Sequence, residues 1–191
     1  NSLKHIWPTL EQFALFYCSV LEMCPMVDGK RKVGPTYFAE IGDFGVFNSS
    51  YDIVYIKFTL NAAKQAAELM GNPKLAERCA ANLAKLPDYP TEMDPSQGGT
   101  VIGQWLGGGL PKYMNIGSEV MSLFPTDEVT WMSDASAREL LARTINHSEK
   151  VTHHINSNVM MNISRARLGM GAEAIANAKK CFGPQSDISA E

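Results

Sequence analysis

The sequence predicts an all-α fold of antiparallel helix pairs, and three observations carry that prediction. Apolar residues recur at three- and four-residue spacing in segment after segment, the signature of helices with one buried face. Helix start and stop signals bracket those segments: Asn72-Pro73 and Ser133-Asp134 at starts, Gly71 and Gly169 at ends. No stretch shows convincing period-two alternation. The chain has 191 residues, 45% of them apolar and 19% charged, which suffices for one domain with a sizeable core.

The first helix is expected over 8–24, with Leu10, Phe13, Ala14, Tyr17, Leu21 and Cys24 on one side and Pro8 in its first turn. Asp28-Gly29-Lys30 is a turn. Residues 31–47 carry Gly34-Pro35, Gly42 and Gly45 and are read as a long irregular loop. The stripe Ile53, Ile56, Leu60, Ala63, Ala67 makes a second helix from Ser50 to Met70, stopped by Gly71. Asn72 then caps a helix with Pro73 at its first position, running to about Leu86. A second long loop covers 87–113, rich in Pro and Gly. A short helix is expected around Ile116–Leu123, another from Ala135 to about Asn146, and a final pair over 155–168 and 171–182 hinged at Gly169-Met170-Gly171.

Charge and cysteine content exclude several functions. Seventeen Lys+Arg against 20 Asp+Glu give a net charge of −3, with no electrostatic footprint for nucleic acid or an anionic membrane. No apolar run reaches the roughly 18–20 residues of a membrane span. Cys18, Cys24, Cys79 and Cys181 form no CxxC pair, so they read as buried thiols and not as metal ligands. The pair His153-His154 precedes a helix, where neighbours point about 100° apart and share a ligand poorly. No metal or cofactor is expected. The chain opens on Asn1-Ser2 without an initiator Met or signal-peptide features, and reads as a piece of something longer or as a processed or cloned product.

Chemistry is expected in the two long loops, because helix bundles ordinarily connect through about 2–8 residues. Their aromatics, Tyr37, Phe38, Phe44, Phe47 and Trp105, argue for order. The strongest constellation is Gly34-Pro35-Thr36-Tyr37-Phe38-Ala39-Glu40, followed by Asn48-Ser49-Ser50-Tyr51-Asp52 at the start of a helix. A carboxylic acid held beside aromatic rings loses hydration, which raises its pKa toward that of a general acid. The bland alternative makes Glu40 a solvated loop carboxylate and Asp52 a helix-start charge. Gly107-Gly108-Gly109 lacks the Lys-Ser/Thr of a phosphate loop. Trp7, Trp105 and Trp131 could stack on a sugar, and Trp105 lies in the Gly-rich loop, where it could equally be a packed anchor.

GPTYFAE (34–40) and FNSSYDIVYIKFTLNAAKQAAELMGNPKLAERCAANLAKLPDY (47–89) resemble the six-hairpin, (α/α)6-toroid glycosidases, in particular glycoside hydrolase family 95, the inverting α-L-fucosidases and their relatives. IGSEVMSLFP (116–125) and NVMMNISRARLGMGAEAIANA (158–178) are similar to later motifs of that family, so the resemblance spans nearly the whole chain. It implies that residues 1–191 are about half of a toroid catalytic domain, with 31–47 and 87–113 as functional loops. It also implies Glu40 as general acid, with Tyr37, Asn48, Asp52, Trp105, Asn115 and Glu119 as substrate contacts. An oligosaccharide or glycan substrate follows from the same resemblance, as does a secreted or periplasmic location.

The sequence departs from the family where Asn115-Ile116 replaces an Arg-His pair and Glu119 replaces a His. The resemblance therefore does not fix the sugar. Inversion needs a second carboxylate about 6.5–9.5 Å from the acid. Glu119, Asp127 and Glu128 are the candidates, each with an ordinary helix-surface explanation, and none is assigned. The family's base lies in an Asp-Gly-Asn segment beyond the last matched helices, so the isolated chain is expected to be inactive. Two other classes compete: a non-catalytic helical scaffold, and a toroid polysaccharide lyase using Tyr37 with His153 or His154. No constant-period repeat supports the scaffold. Apolar faces left open on a half ring, Phe13, Phe16 and Val20 on the first helix and Met160, Ile163 and Ile175 on the last pair, predict self-association.

Overall fold

A computed structural model describes residues 2–38, 43–112, 117–151 and 155–182. Among them are six α-helices and six strands of two to four residues, the strands paired into three separate two-stranded ribbons. The chain is mainly α, as the periodicities require, but it is not strand-free. It divides into two compact units, one over 2–38 and 43–89 and the other beginning at Pro90.

The first unit is a three-helix core with two hairpins. Helix α1 runs Ser2–Met23 and so begins upstream of the expected start, leaving Pro8 inside it. The reason is that the apolar stripe extends backward: buried Trp7 and partly buried Leu3 continue the spacing of Leu10, Ala14, Cys18 and Leu21. Strands β1 (Met26–Val27) and β2 (Lys30–Arg31) follow, then β3 (Thr36–Phe38) and β4 (Asp43–Val46). The irregular loop expected at 31–47 is thus largely a hairpin. Its strands are short and mostly exposed, so neither face carries an apolar alternation to read.

Helix α2 spans Ser50–Leu69 and α3 spans Pro73–Ala84. Asn72 caps α3 by accepting from the Leu75 amide at 3.2 Å, with Pro73 at the first helical position as expected. Gly71 takes φ +74° between the two helices, a left-handed value that a side chain disfavours. Trp7, Leu21, Ile53, Ile56, Leu60, Leu75 and Leu86 pack around small Ala14, Cys18, Ala63, Ala67 and Cys79. The small residues let three helices approach closely.

In the second unit β5 (Thr91–Asp94) pairs antiparallel with β6 (Gly99–Ile102) around a 3-10 turn at Pro95–Gln97. The expected loop 87–113 therefore contains a hairpin. A second 3-10 turn, Ser118–Val120, stands where a short helix was expected. Helix α4 runs Ala135–Val151, one turn past its expected end, because His147 and Ser148 are buried there and hydrogen-bonded. Helices α5 (Ile155–Arg167) and α6 (Gly171–Phe182) form the final pair, hinged where predicted. Arg167 donates to the Leu123 carbonyl at 2.8 Å and ties α5 to the segment after the 3-10 turn.

Candidate functional site

The site in the first unit starts from the cap of α2. Ser49 is the N-cap, and its Oγ accepts from the Asp52 amide at 3.0 Å while donating to Asp52 Oδ2 at 2.7 Å. This reciprocal arrangement is a variant of the capping box, with the side chain reaching the cap hydroxyl. It locks the Asp52 carboxyl in place. Asn48 at φ +50° closes the same corner: its Oδ1 accepts from the Val33 amide at 2.8 Å, and its own amide donates to the Val33 carbonyl at 2.8 Å.

Asp52 then lines a concavity of about 250 Å³ with Tyr17 of α1 and Tyr51, Tyr55 and Ile56 of α2. The Tyr51 and Tyr55 rings lie 5.0 Å apart, tilted by 59°. Burial pushes the Asp52 carboxyl above the ordinary aspartate range, even though hydrogen bonds from Ser49 and Thr36 pull it down. Burial also raises the Tyr17 phenol, with Asp52 and Tyr51 adding to the shift, and it raises Tyr55 beside Tyr51. A phenol-lined hollow with one hydrogen-bonded carboxyl at its edge is suited to a compact polyhydroxylated ligand. The rings supply flat apolar faces with polar tips, and the carboxyl supplies a directional acceptor or donor.

The other expected site residues fall as follows. Tyr37 is half exposed and stacks on Phe44 across the hairpin, centroids 4.6 Å apart. Asn48 spends its side-chain carbonyl on the backbone of Val33. Glu40, Asn115, His153 and His154 lie outside the described residues. Trp105 and Glu119 belong to the second unit. Trp105 is buried, and a Cβ on Gly108 would meet its ring at 2.6 Å, so the Gly-rich loop is folded tightly against the indole. That is the geometry of a packed anchor.

Glu119 is 3% exposed and accepts from Ser148 Oγ of α4 and from Ser118 Oγ. Burial raises its carboxyl above the usual range, against the pull of those hydrogen bonds and of nearby His147. His147 Nδ1 lies 2.6 Å from Asp94 Oδ2, and its Nε2 lies 3.0 Å from the Pro111 carbonyl. Both partners are acceptors; a neutral imidazole can donate to only one of them, an imidazolium to both. Burial alone would raise Asp94. The hydrogen bonds from His147 and Ser96 outweigh that and hold its carboxyl below the ordinary range. With both ring nitrogens engaged, His147 clips the 94–111 segment onto α4. Asp127 and Glu128 are exposed.

Sequence reading passed over Tyr17 and Tyr55 as site residues and over the Asp94–His147 pair, and it named Tyr51 only as part of the 48–52 constellation. The i, i+4 spacing of Tyr51 and Tyr55, which flank Asp52 just after the Ser49 cap, was the available signal. Among the described residues no cluster of three or more His, Cys, Asp or Glu side chains could hold a metal, and no helix is long and apolar enough to cross a membrane. The fold defines a mainly α-helical chain with short β-ribbons. No protein-family model matches the chain, and no curated protein does either.

Proposed function

We propose that this chain is part of a carbohydrate-active glycoside hydrolase of the six-hairpin, (α/α)6-toroid kind, acting by inversion on glycosidic bonds of complex glycans. The observation that carries the reading is the concavity of Tyr17, Tyr51, Asp52 and Tyr55. Its size suits one sugar ring, its phenol faces suit the apolar side of a pyranose, and Asp52 is the only carboxyl among its described lining residues. In this proposal Asp52 binds sugar hydroxyls, and Glu40, which follows β3 in the sequence, donates the proton to the leaving oxygen.

Titration with a panel of free monosaccharides and aryl glycosides, followed by ligand-observed NMR, tests the reading. At least one sugar is expected to bind in the millimolar range or tighter, and Tyr55→Ala is expected to weaken it about tenfold, as loss of one aromatic contact does. Asp52→Asn should weaken it as well. No member of the panel binding, or binding that ignores both substitutions, rejects the site. Because the base is proposed to come from an Asp-Gly-Asn segment of the resembled family, no turnover is expected. Hydrolysis of an aryl glycoside abolished by Glu40→Gln would show that the base lies within these residues.

The same proposal includes self-association. Phe13 and Phe16 are 54% and 59% exposed on α1, where they border an open apolar hollow with Pro8, Thr9 and Gln12, and Ile175 is 60% exposed on α6. Sedimentation equilibrium at micromolar concentration should show species above 21.0 kDa. Phe13→Glu with Phe16→Glu should return the chain to that mass, and a clean monomer of the unaltered chain would remove self-association from the proposal.

A further inference from the structure

Along the seam between α1 and α3, three residues of each helix meet in matched register. Arg78 donates from Nε to Glu22 Oε1 at 2.9 Å and from Nη2 to Glu22 Oε2 at 2.6 Å, and Nη2 also reaches Ser19 Oγ at 3.1 Å. Asn82 Nδ2 donates to Glu22 Oε1 at 3.0 Å. Positions 18, 19 and 22 of α1 thus face 79, 78 and 82 of α3. This forked ion pair fixes the sliding register of the two helices. At its inner end Cys18 and Cys79, each next in sequence to the bonded Ser19 and Arg78, are completely buried in the core that the two helices share.

The bland account makes them two small apolar core residues. That account explains their burial. It gives no reason for a cysteine on each helix beside the polar seam that fixes their register. We infer that Cys18 and Cys79 form a modification site, a dithiol that a small-molecule disulfide such as oxidised glutathione converts into an intramolecular bridge stapling α1 to α3. Cys24, also buried and free, lies six residues on at the end of α1 and has no place in the seam.

The step balances as thiol–disulfide exchange. The Cys18 thiolate attacks one sulfur of glutathione disulfide, forming a mixed disulfide and expelling one glutathione thiolate. Cys79 then gives up its proton and attacks the Cys18 sulfur, expelling the second. Two protein thiols are oxidised by two electrons, one disulfide is reduced to two thiols, and the two protons end on the departing glutathiones. The roles follow from the surroundings. The neighbouring Cys79 and the Arg78 guanidinium favour the Cys18 thiolate against its burial, whereas Cys18 and burial push Cys79 up. Burial also makes the exchange slow in the closed core, so the bridge forms during folding or when the α1–α3 seam opens.

The experiment refolds the chain in glutathione buffers of graded oxidised-to-reduced ratio, blocks free thiols by alkylation, and maps peptides by mass. The expected result is one bridged peptide pair, Cys18 with Cys79, and an intact mass lower by two hydrogens. Closing a loop of about 60 residues in the unfolded chain should raise the Tm by about 5–10 °C, reversed by dithiothreitol. Cys79→Ser should lose both the bridge and the rise. Where that variant does not fold, Cys24→Ser, outside the seam, should keep both. Alkylation of every cysteine at all ratios overturns the inference. So does a bridge through Cys24 or Cys181, or a bridged chain that melts below the reduced one.

Discussion

Leu60→Ala is expected to lower the stability of the first unit by about 3–5 kcal/mol, the upper part of the range for a buried leucine. Leu60 is wholly buried at the middle of α2, within the cluster that joins α1, α2 and α3. Its neighbours decide the magnitude. Ala14, Ala63, Ala67, Cys18 and Cys79 are too short to reach into the hole, and the hydrogen-bonded α1–α3 seam resists the helix shift that would close it. A site that cannot collapse retains most of its cavity, and the cavity adds to the lost transfer energy. For a unit of this size the melting midpoint should fall by about 10 °C or more. Leu60→Met, which conserves volume, should cost less than about 1.5 kcal/mol. Equal, small losses for both would mean that the three helices do not enclose a tightly packed core. The proposed sugar binding should survive Leu60→Ala well below its midpoint, because α2 carries Tyr51, Asp52 and Tyr55 near its first turns and not at Leu60.

Long helices were legible in the sequence because each repeats its apolar spacing many times. The stripe from Ile53 to Ala67 fixes α2, and Asn72-Pro73 fixes the start of α3 with side-chain chemistry that few other structures use. The ribbons were not legible. Strands β3 to β6 have three or four residues each, so a burial pattern such as that of Asp43–Val46 offers no second period to count. Boundaries moved where tertiary contacts overruled local signals. Trp7 drew α1 back past Pro8, and the buried His147 and Ser148 carried α4 on to Val151.

The site was legible in part for the same reason. Asp52 could be placed from Ser49 and the helix start, since a cap is a local motif. Its partners Tyr17, Tyr51 and Tyr55 come from two helices whose relative rotation is set by packing, and Tyr17 reads in one dimension as another core residue. Trp105 and Glu119 show the opposite case. Each is a residue type that binds sugars readily, and each is committed inside the second unit, one against Gly108 and the other to Ser118 and Ser148.

Glu119→Gln is expected to abolish most of a downward slope in stability with rising pH. The carboxyl is buried among Ser118, Ser148 and His147, and burial outweighs its hydrogen bonds, so the folded chain holds this proton more tightly than the unfolded one. For a carboxyl raised in the folded state, the stabilisation is complete below the unfolded pKa, about 4.3 for glutamate, and is lost as pH climbs toward the folded value. One such group can cost at most about 1.4 kcal/mol per pH unit across that window. Glutamine keeps an oxygen for Ser148 and removes the titration. Asp52 tilts the curve in the same sense, but it is present in both proteins and cancels in the difference. Asp94, held low by His147 and Ser96, acts in the other direction and in a separate window, losing its contribution only as pH falls below the aspartate range. Urea midpoints from pH 4 to pH 8 should therefore diverge, with Glu119→Gln gaining on the unaltered chain as pH rises. Glu119→Ala, which leaves the buried Ser148 hydroxyl without its acceptor, should be destabilised at the acid end, where the protonated carboxyl costs the unaltered chain least. Parallel curves for the glutamine variant would mean that Glu119 titrates as a solvated carboxylate. That result would return it to the surface of the second unit, where it could meet a ligand directly.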